Sequence, residues 1–213
     1  MKSVRVFYKK SGRMKFISHL DMNRFMIRMV RMSGIPVWYS EGFNPHPYIT
    51  FALPLSLGFN SNYEVMDIRL NDDDYPLDSV CNNLKKLMPK GIEIFKVDNP
   101  VMKAGDVAFA EFRIEFDDIS LYRKEIIEFL SSEKIEAEKK TKKGGVKIIN
   151  LKEFISEFNV DGNSLILILS AGSNNNLNPK LILDTFDNTR ATNLPSYSIT
   201  RCMLYNSNME CFK

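Results

Sequence analysis

Two periodicities alternate along the chain. Val4, Val6 and Tyr8 alternate with Arg5 and Phe7, the two-residue period of a strand that turns one face to a core. Lys9-Lys10-Ser11-Gly12 reads as the turn that ends it. The spacing then changes: Met22, Phe25, Met26, Met29, Val30 and Ser33 recur every three or four positions, which predicts an amphipathic helix stopped by Gly34 and Pro36. Ser18 is placed as its N-cap and Asp21 as the acidic member of a capping box. Val37, Trp38 and Tyr39 form a short predicted strand, and the prolines on both sides of His46 exclude helix from the loop that follows. Residues 49–55 read as extended, and Glu64, Met66, Ile68 and Leu70 alternate with Tyr63, Val65, Asp67 and Arg69 as another strand. Leu77, Val80, Cys81, Leu84, Leu87 and Met88 return to helical spacing, with Pro76 suited to the first turn and Gly91 just past the end. A strand over residues 92–97 closes the unit.

This order, β-α-β-β-α-β, predicts a ferredoxin-like sandwich over residues 1–98. Residues 99–106 read as a linker. Beyond them come a strand over 107–116, a helix over 119–130, a short strand at Ile135 and Ala137, and a lysine-rich turn from Lys139 to Lys143 that ends in Gly144 and Gly145. Residues 146–149 read as extended, and Leu151, Phe154 and Ile155 as a short helical piece. A strand over 165–169, a polar turn at Asn174, Asn175 and Asn176, a helix begun by Asn178-Pro179 and a last strand over 197–205 complete the chain. Residues 107–213 thus repeat the element order with decorations, though no residue-level repeat is present. The expected fold class is α+β: two ferredoxin-like units in tandem, with antiparallel sheets and helices on one face.

The 213 residues, 44% hydrophobic and 26% charged, have the composition of a folded chain with a sizeable core. No apolar run approaches the roughly 20 residues needed to span a bilayer, and the N-terminus lacks the pattern of a secretion signal, so the expected location is cytoplasmic with no membrane. Cys81, Cys202 and Cys211 are widely spaced and form neither a disulfide framework nor the close triplet of an iron-sulfur site. Phosphate-cradling glycine loops, nucleophile elbows and cysteine-rich metal knuckles are likewise missing from the sequence.

Charge is distributed unevenly. Residues 1–40 carry nine Lys or Arg against the single acid Asp21, residues 41–100 carry five against nine, and the rest fifteen against sixteen. A one-sided patch of that size attracts an anionic partner. Arg24, Arg28 and Arg31 fall together on the predicted helix, Arg13 and Lys15 lie just before it, and Phe16, Trp38, Tyr39, Phe43 and Tyr48 supply rings nearby. Cations that hold a backbone and rings that stack on bases are the parts used for single-stranded RNA. Phe16 and Trp38 are expected in the core, Phe43 and Tyr48 on the exposed loop.

Both histidines fall in compact motifs, Ser18-His19-Leu20-Asp21 and Gly42-Phe43-Asn44-Pro45-His46-Pro47. Two readings compete. In one, His19 and Asp21 only cap the helix; in the other, the His46 loop folds over the helix start, so that His19, Asp21, Asn44 and His46 converge on an anion. His19 and His46 are the candidate catalytic residues should the chain be an enzyme. Two histidines with Asp21 have the ligand types for a metal but no tight spacing, and no metal site is assigned.

The segments Gly12-Arg13-Met14-Lys15-Phe16-Ile17-Ser18-His19-Leu20-Asp21, Gly34-Ile35-Pro36, Tyr39-Ser40-Glu41-Gly42-Phe43-Asn44-Pro45-His46-Pro47 and Phe51-Ala52-Leu53-Pro54-Leu55 with Gly58 resemble the radical-SAM-linked domain of unknown function of bacteria, over residues 2 to about 70. That domain occurs fused to a radical SAM protein or as a separate chain encoded beside one, and this sequence resembles the separate form. The resemblance implies a non-catalytic accessory to a radical SAM partner in RNA modification or ribosome-related processing. The iron-sulfur cluster and SAM would then belong to the partner, with no cofactor bound here. A resemblance at fold level only, to the CRISPR repeat-processing endoribonucleases, implies as an alternative a metal-independent ribonuclease using His19 or His46 as general acid or base. A protein–protein adaptor for the radical SAM enzyme is the third alternative.

Overall fold

The computed structural model describes residues 2–140, 145–172 and 175–213. Thr141, Lys142, Lys143 and Gly144 of the predicted lysine turn, and Asn174 of the predicted asparagine turn, lie outside the described residues. The chain is mixed α and β, with four α-helices and mostly antiparallel strand pairing among the described residues. It divides into two compact units, Met1–Val107 with Glu210–Lys213, and Ala108–Met209.

The first unit contains β1 (Lys2–Lys10), α1 (His19–Met32), β2 (Ile49–Phe51), β3 (Asn60–Leu70), α2 (Leu77–Lys85) and β4 (Ile92–Asp98). Its strands lie in the order β4-β1-β3-β2, each pair antiparallel. Alternation decides which side chains go where. Val4, Val6 and Tyr8 of β1 and Met66, Ile68 and Leu70 of β3 pack on Met22, Met26 and Val30 of α1 and on Val80 and Leu84 of α2. The opposite face receives Arg5, paired in register with Asp67. Arg5 is fully buried, and its Nε and Nη2 each donate to a different Asp67 carboxylate oxygen at 2.7 Å. Its guanidinium carbon stands 4.6 Å from the centre of the Phe212 ring, and Tyr63 donates to the Phe212 carbonyl at 2.7 Å. The last four residues are thereby part of this unit's packing.

Helix α1 starts where its capping chemistry directs. The Asp21 amide donates to Ser18 Oγ at 3.1 Å and the Ser18 hydroxyl donates to the Asp21 carboxylate at 2.7 Å. It ends with the Ser33 hydroxyl on the Val30 carbonyl at 2.7 Å and with Gly34 at φ +71°. Three local expectations shift. Strand β1 runs through Lys10, and a 3-10 turn, Gly12–Phe16, follows it. Phe16, expected in the core, lies on that turn and is 65% exposed, because none of the turn's residues is buried. Residues 37–39 make only two isolated bridges, Val37 to Leu70 and Tyr39 to Pro47, since Pro36, Pro45 and Pro47 cannot donate to a ladder.

The second unit contains β5 (Phe109–Phe116), α3 (Arg123–Ser131), β6 (Glu136–Lys140), β7 (Val146–Asn150), β8 (Ile155–Asp161), β9 (Ser164–Ser170), α4 (Pro179–Arg190) and β10 (Tyr197–Tyr205). Its sheet order is β10-β5-β9-β8, again antiparallel at each step, while among the described residues β6 and β7 pair only with each other. With that hairpin set aside, the element order and strand order of the first unit recur. Phe112 and Ile114 of β5 and Leu165, Leu167 and Leu169 of β9 are buried, as are Ile126 and Phe129 of α3 and Ile182 and Phe186 of α4. Phe129 meets Phe186 edge-on at 5.4 Å. Strand β8 is not predicted from the sequence: Phe158 and Val160 alternate with Glu157, Asn159 and Asp161 for only a short stretch, the register shifts between Ile155 and Glu157, and the apolar residues before it form the 3-10 turn Leu151–Phe154.

Gly91 has φ +102°, and a Cβ there would stand 2.5 Å from the Ser11 carbonyl oxygen and 2.9 Å from Met14 Cγ. Gly91→Ala should therefore destabilise the protein by about 2 kcal/mol or more in urea unfolding; an unchanged midpoint would contradict this packing. Burial pushes the Tyr63 phenol up to about 12 from 10.0, with smaller electrostatic effects from Cys211 and Arg5. The unfolded chain ionises first, so the stabilisation is intact below pH 10.0 and is lost as pH rises through about 12. In an alkaline absorbance titration one phenol should ionise near pH 12, and Tyr63→Phe should remove it; an unchanged curve in that range would contradict the burial of Tyr63.

Candidate functional site

Arg24, Arg28 and Arg31 recur at four- and three-residue spacing, so they share one face of α1, and all three are exposed. Met22, Met26 and Val30 occupy the opposite, buried face. Arg24 Nη1 stands 3.6 Å from Asp21 Oδ1, an exposed pairing worth little against water. Arg31 has a structural contact as well. Its Nη2 donates to the Pro45 carbonyl at 2.9 Å, and its guanidinium carbon lies 5.9 Å from the centre of the Tyr39 ring.

That contact fixes the loop of the second histidine motif beside the last turn of α1. The loop closes on itself: the Ser40 amide donates to the His46 carbonyl at 2.9 Å, and the His46 amide donates to Ser40 Oγ at 3.2 Å. His46 Nδ1 is 3.1 Å from the Asn44 carbonyl and 3.1 Å from Ser40 Oγ. A carbonyl only accepts, so the Asn44 contact is a hydrogen bond in the form that carries a proton on Nδ1, the tautomer that leaves Nε2 as acceptor. Phe43 and Asn44 at the tip are exposed, Phe43 fully. The ring is thus held outward on a loop whose ends are tied.

His19 lies elsewhere. It is half-buried at the first turn of α1, edge-on to Phe51 of β2 at 5.2 Å. Arg31, which holds the His46 loop, is twelve residues further along the helix, about 18 Å at 1.5 Å per residue. The expected convergence of His19 and Asp21 with Asn44 and His46 is therefore not formed. Gly34 turns the chain back at once, and the loop is captured at the end of α1 before it can reach the start.

The cationic patch is also smaller than charge counting implies. Arg5 is consumed by Asp67, and Lys10 is buried with Nζ donating to the Ile17 carbonyl at 3.0 Å. Lys9 stands 3.5 Å from Glu93. Arg13 is exposed and Lys15 half-buried on the 3-10 turn before α1, with Lys15 Nζ 5.1 Å from the Phe16 ring centre. Outward charge thus concentrates on Arg13, Lys15, Arg24, Arg28 and Arg31.

Tyr48 is exposed, as expected, but faces a residue the sequence reading passed over. Arg69 of β3 stands 4.4 Å from the Tyr48 ring centre and 5.1 Å from that of Trp38, which is half-buried and meets Tyr48 edge-on at 5.5 Å. Arg69 is in phase with Asp67, hence on the sheet face turned away from α1. The available signal was the alternation that places Asp67 and Arg69 on the same side. Among the cysteines, burial pushes the Cys202 thiol up, away from the thiolate a nucleophile needs. Among the described residues no group of three His, Cys, Asp or Glu side chains is placed to hold a metal ion.

Fold and site together define a protein of two α+β units, the first of which displays an arginine-bearing helix face beside a loop tipped by a ring. The chain belongs to a family described as an uncharacterized protein conserved in bacteria (DUF2344), whose model matches residues 3–179. Both histidine motifs and most of the second unit lie inside that match. No curated protein matches the chain. Among the described residues no helix is long and apolar enough to cross a membrane.

The Arg31 contact yields a prediction. Arg31→Lys keeps the charge but removes the fixed fork that reaches the Pro45 carbonyl, at a cost of about 1 kcal/mol. Amide hydrogen exchange over residues 40–46 should accelerate about fivefold, with the core of α1 unchanged. Equal exchange in both proteins would show that the bond does not hold the loop.

Proposed function

We propose that the first unit binds single-stranded RNA through the arginine face of α1 and the loop tipped by Phe43. The observation that carries this reading is the placement of three exposed arginines on one helix face, the last holding the loop on which Phe43 is fully exposed. Guanidinium groups attract the phosphate backbone and an exposed ring offers a stacking surface that any base can use. Arg13 and Lys15 extend the cationic track before the helix, and His46, through Nε2, supplies an acceptor beside it. The contact specifies the polymer's chemistry more than its sequence, since phosphate contacts carry no base information.

The resemblance of residues 2 to about 70 to the radical-SAM-linked domain extends the proposal. The chain would act as an accessory that presents RNA to a radical SAM enzyme, which would hold the iron-sulfur cluster and SAM. The strand orders β4-β1-β3-β2 and β10-β5-β9-β8, with two helices each, support reading the units as two ferredoxin-like folds. A ribonuclease reading requires an acid and a base on opposite sides of one phosphate. With His19 against Phe51 and His46 tied to Ser40 at the far end of α1, an accessory role fits better than cleavage.

RNA binding should weaken steeply with salt, and Arg24→Glu combined with Arg28→Glu should abolish it while His19→Ala leaves it intact. The logarithmic salt slope of a milder double change, Arg24→Gln with Arg28→Gln, should fall by about 1.4 units for two lost phosphate contacts. Binding of a fluorescent single strand that ignores the charge reversal would contradict the reading.

A further inference from the structure

Strands β1, β2 and β3 floor a cavity of about 610 Å³ within the first unit, on the sheet face turned away from α1. Ser3, Thr50, Asp67 and Arg69 rise from the floor, Tyr48 stands at one side, and Pro100, Val101, Met102 and Lys103 form a wall. Strand register explains the grouping: Ser3 pairs with Arg69, and Asp67 pairs with both Arg5 and Thr50. The volume falls in the range of small-molecule sites.

The charges in this cavity are not equivalent. Both Asp67 oxygens already accept from the buried Arg5, so its negative charge is neutralised from beneath. Arg69 is held by the faces of Tyr48 and Trp38, at 4.4 and 5.1 Å, and makes no ion pair with a carboxylate among the described residues. These cation–π contacts hold the guanidinium in place without consuming its N–H donors, which are left to a ligand. Lys103 adds a second, exposed cation from the wall. The lining holds two cations, Arg69 and Lys103, against one acid, Asp67, already paired with Arg5, and so favours an anion. The Asp106 carboxylate, which accepts from the Lys103 amide at 2.8 Å, offsets part of the Lys103 charge. The remaining lining asks for something larger than an anion: Ser3 and Thr50 hydroxyls, the outward lone pairs of Asp67 for a hydroxyl or amino donor, and Val101 with Met102 as an apolar surface.

We propose that this cavity binds a phosphate-bearing nucleotide, with Arg69 and Lys103 on the phosphate, Asp67 accepting from the sugar or base, and Val101 and Met102 against the ring. The chemistry is shared by a free mononucleotide and by one residue of a bound RNA strand. The site uses none of the arginines of α1, so it stands or falls separately from the RNA contact proposed above.

The test is titration calorimetry on the full chain with each of the four 5′-ribonucleoside monophosphates, with inorganic phosphate, and with a single-stranded RNA dodecamer. Lys103→Ala and Arg69→Gln should each weaken the nucleotide-bearing ligand about tenfold, the loss of one charge-assisted contact. The pair Arg24→Glu with Arg28→Glu should leave mononucleotide binding as it is. Binding of mononucleotides assigns the free ligand. Binding of the dodecamer alone, still sensitive to Lys103→Ala, assigns a nucleotide within a strand. The proposal is overturned if no nucleotide or RNA binding responds to Lys103→Ala, or if inorganic phosphate binds as tightly as the nucleotides. Lys103 is exposed, so its substitution remains informative even should Arg69→Gln fail to fold.

Discussion

The register between β1 and β3 is the constraint on which the first unit depends. Pairing Val4 with Ile68 and Val6 with Met66 sends one set of side chains under α1 and α2. The same register places Arg5 against Asp67 and Ser3 against Arg69 on the other face. A slip of one residue would exchange the two sets, putting a guanidinium under the helices and aliphatic groups where the charges now stand. Burial of Arg5 is tolerable only because both Asp67 oxygens meet it at 2.7 Å and Phe212 covers its face. Removing one partner of such a pair strands a charge, which typically costs about 3–5 kcal/mol. A core made by alternation and a charge pair made by register thus have the same origin.

Much of this was legible in the sequence because the signals were local and mutually consistent. The capping box at Ser18 and Asp21, the stripe from Met22 to Val30 and the stop at Gly34 agree on α1, and the helix occupies His19–Met32. The alternation from Tyr63 to Leu70 lies within β3, Asn60–Leu70. Illegible features depended on partners distant in sequence. Nothing around Lys10 marks it as buried; the Ile17 carbonyl that receives its ammonium comes from the chain folding back. Strand β8 opens on a register shift between Ile155 and Glu157 against β9, which interrupts its period at the start. Phe16 looks like a core residue from its composition, yet sits outward on a 3-10 turn.

The candidate site shows the same division. The arginine face of α1 and the exposure of Phe43 and Tyr48 follow from helical spacing and from loop composition, and both are present. The meeting of the two histidine motifs required knowing which end of α1 the loop would reach; backbone bonds of Trp38 and Tyr48 to Arg69 anchor its ends on β3, and Arg31 holds the Pro45 carbonyl beside the last turn of α1. His19 then belongs with Phe51, and His46 with Ser40 and Asn44. Two histidines in compact motifs invite an acid–base pair, whereas their positions suit separate duties: one packs the start of a helix, the other shapes a loop that carries a ring. The family model that matches residues 3–179 includes both histidine motifs, and the cationic face lies in the first unit.

The central claim is that the exposed cations of α1 and the tip of the neighbouring loop form one RNA-contacting surface. Photocrosslinking of the full chain to a single strand containing 4-thiouridine, followed by peptide mapping, tests it most directly. Crosslinks should concentrate at Phe43 and on peptides from α1, and should fall away as salt is raised. Crosslinks confined to Ala108–Met209, with α1 and its loop untouched, would contradict the account.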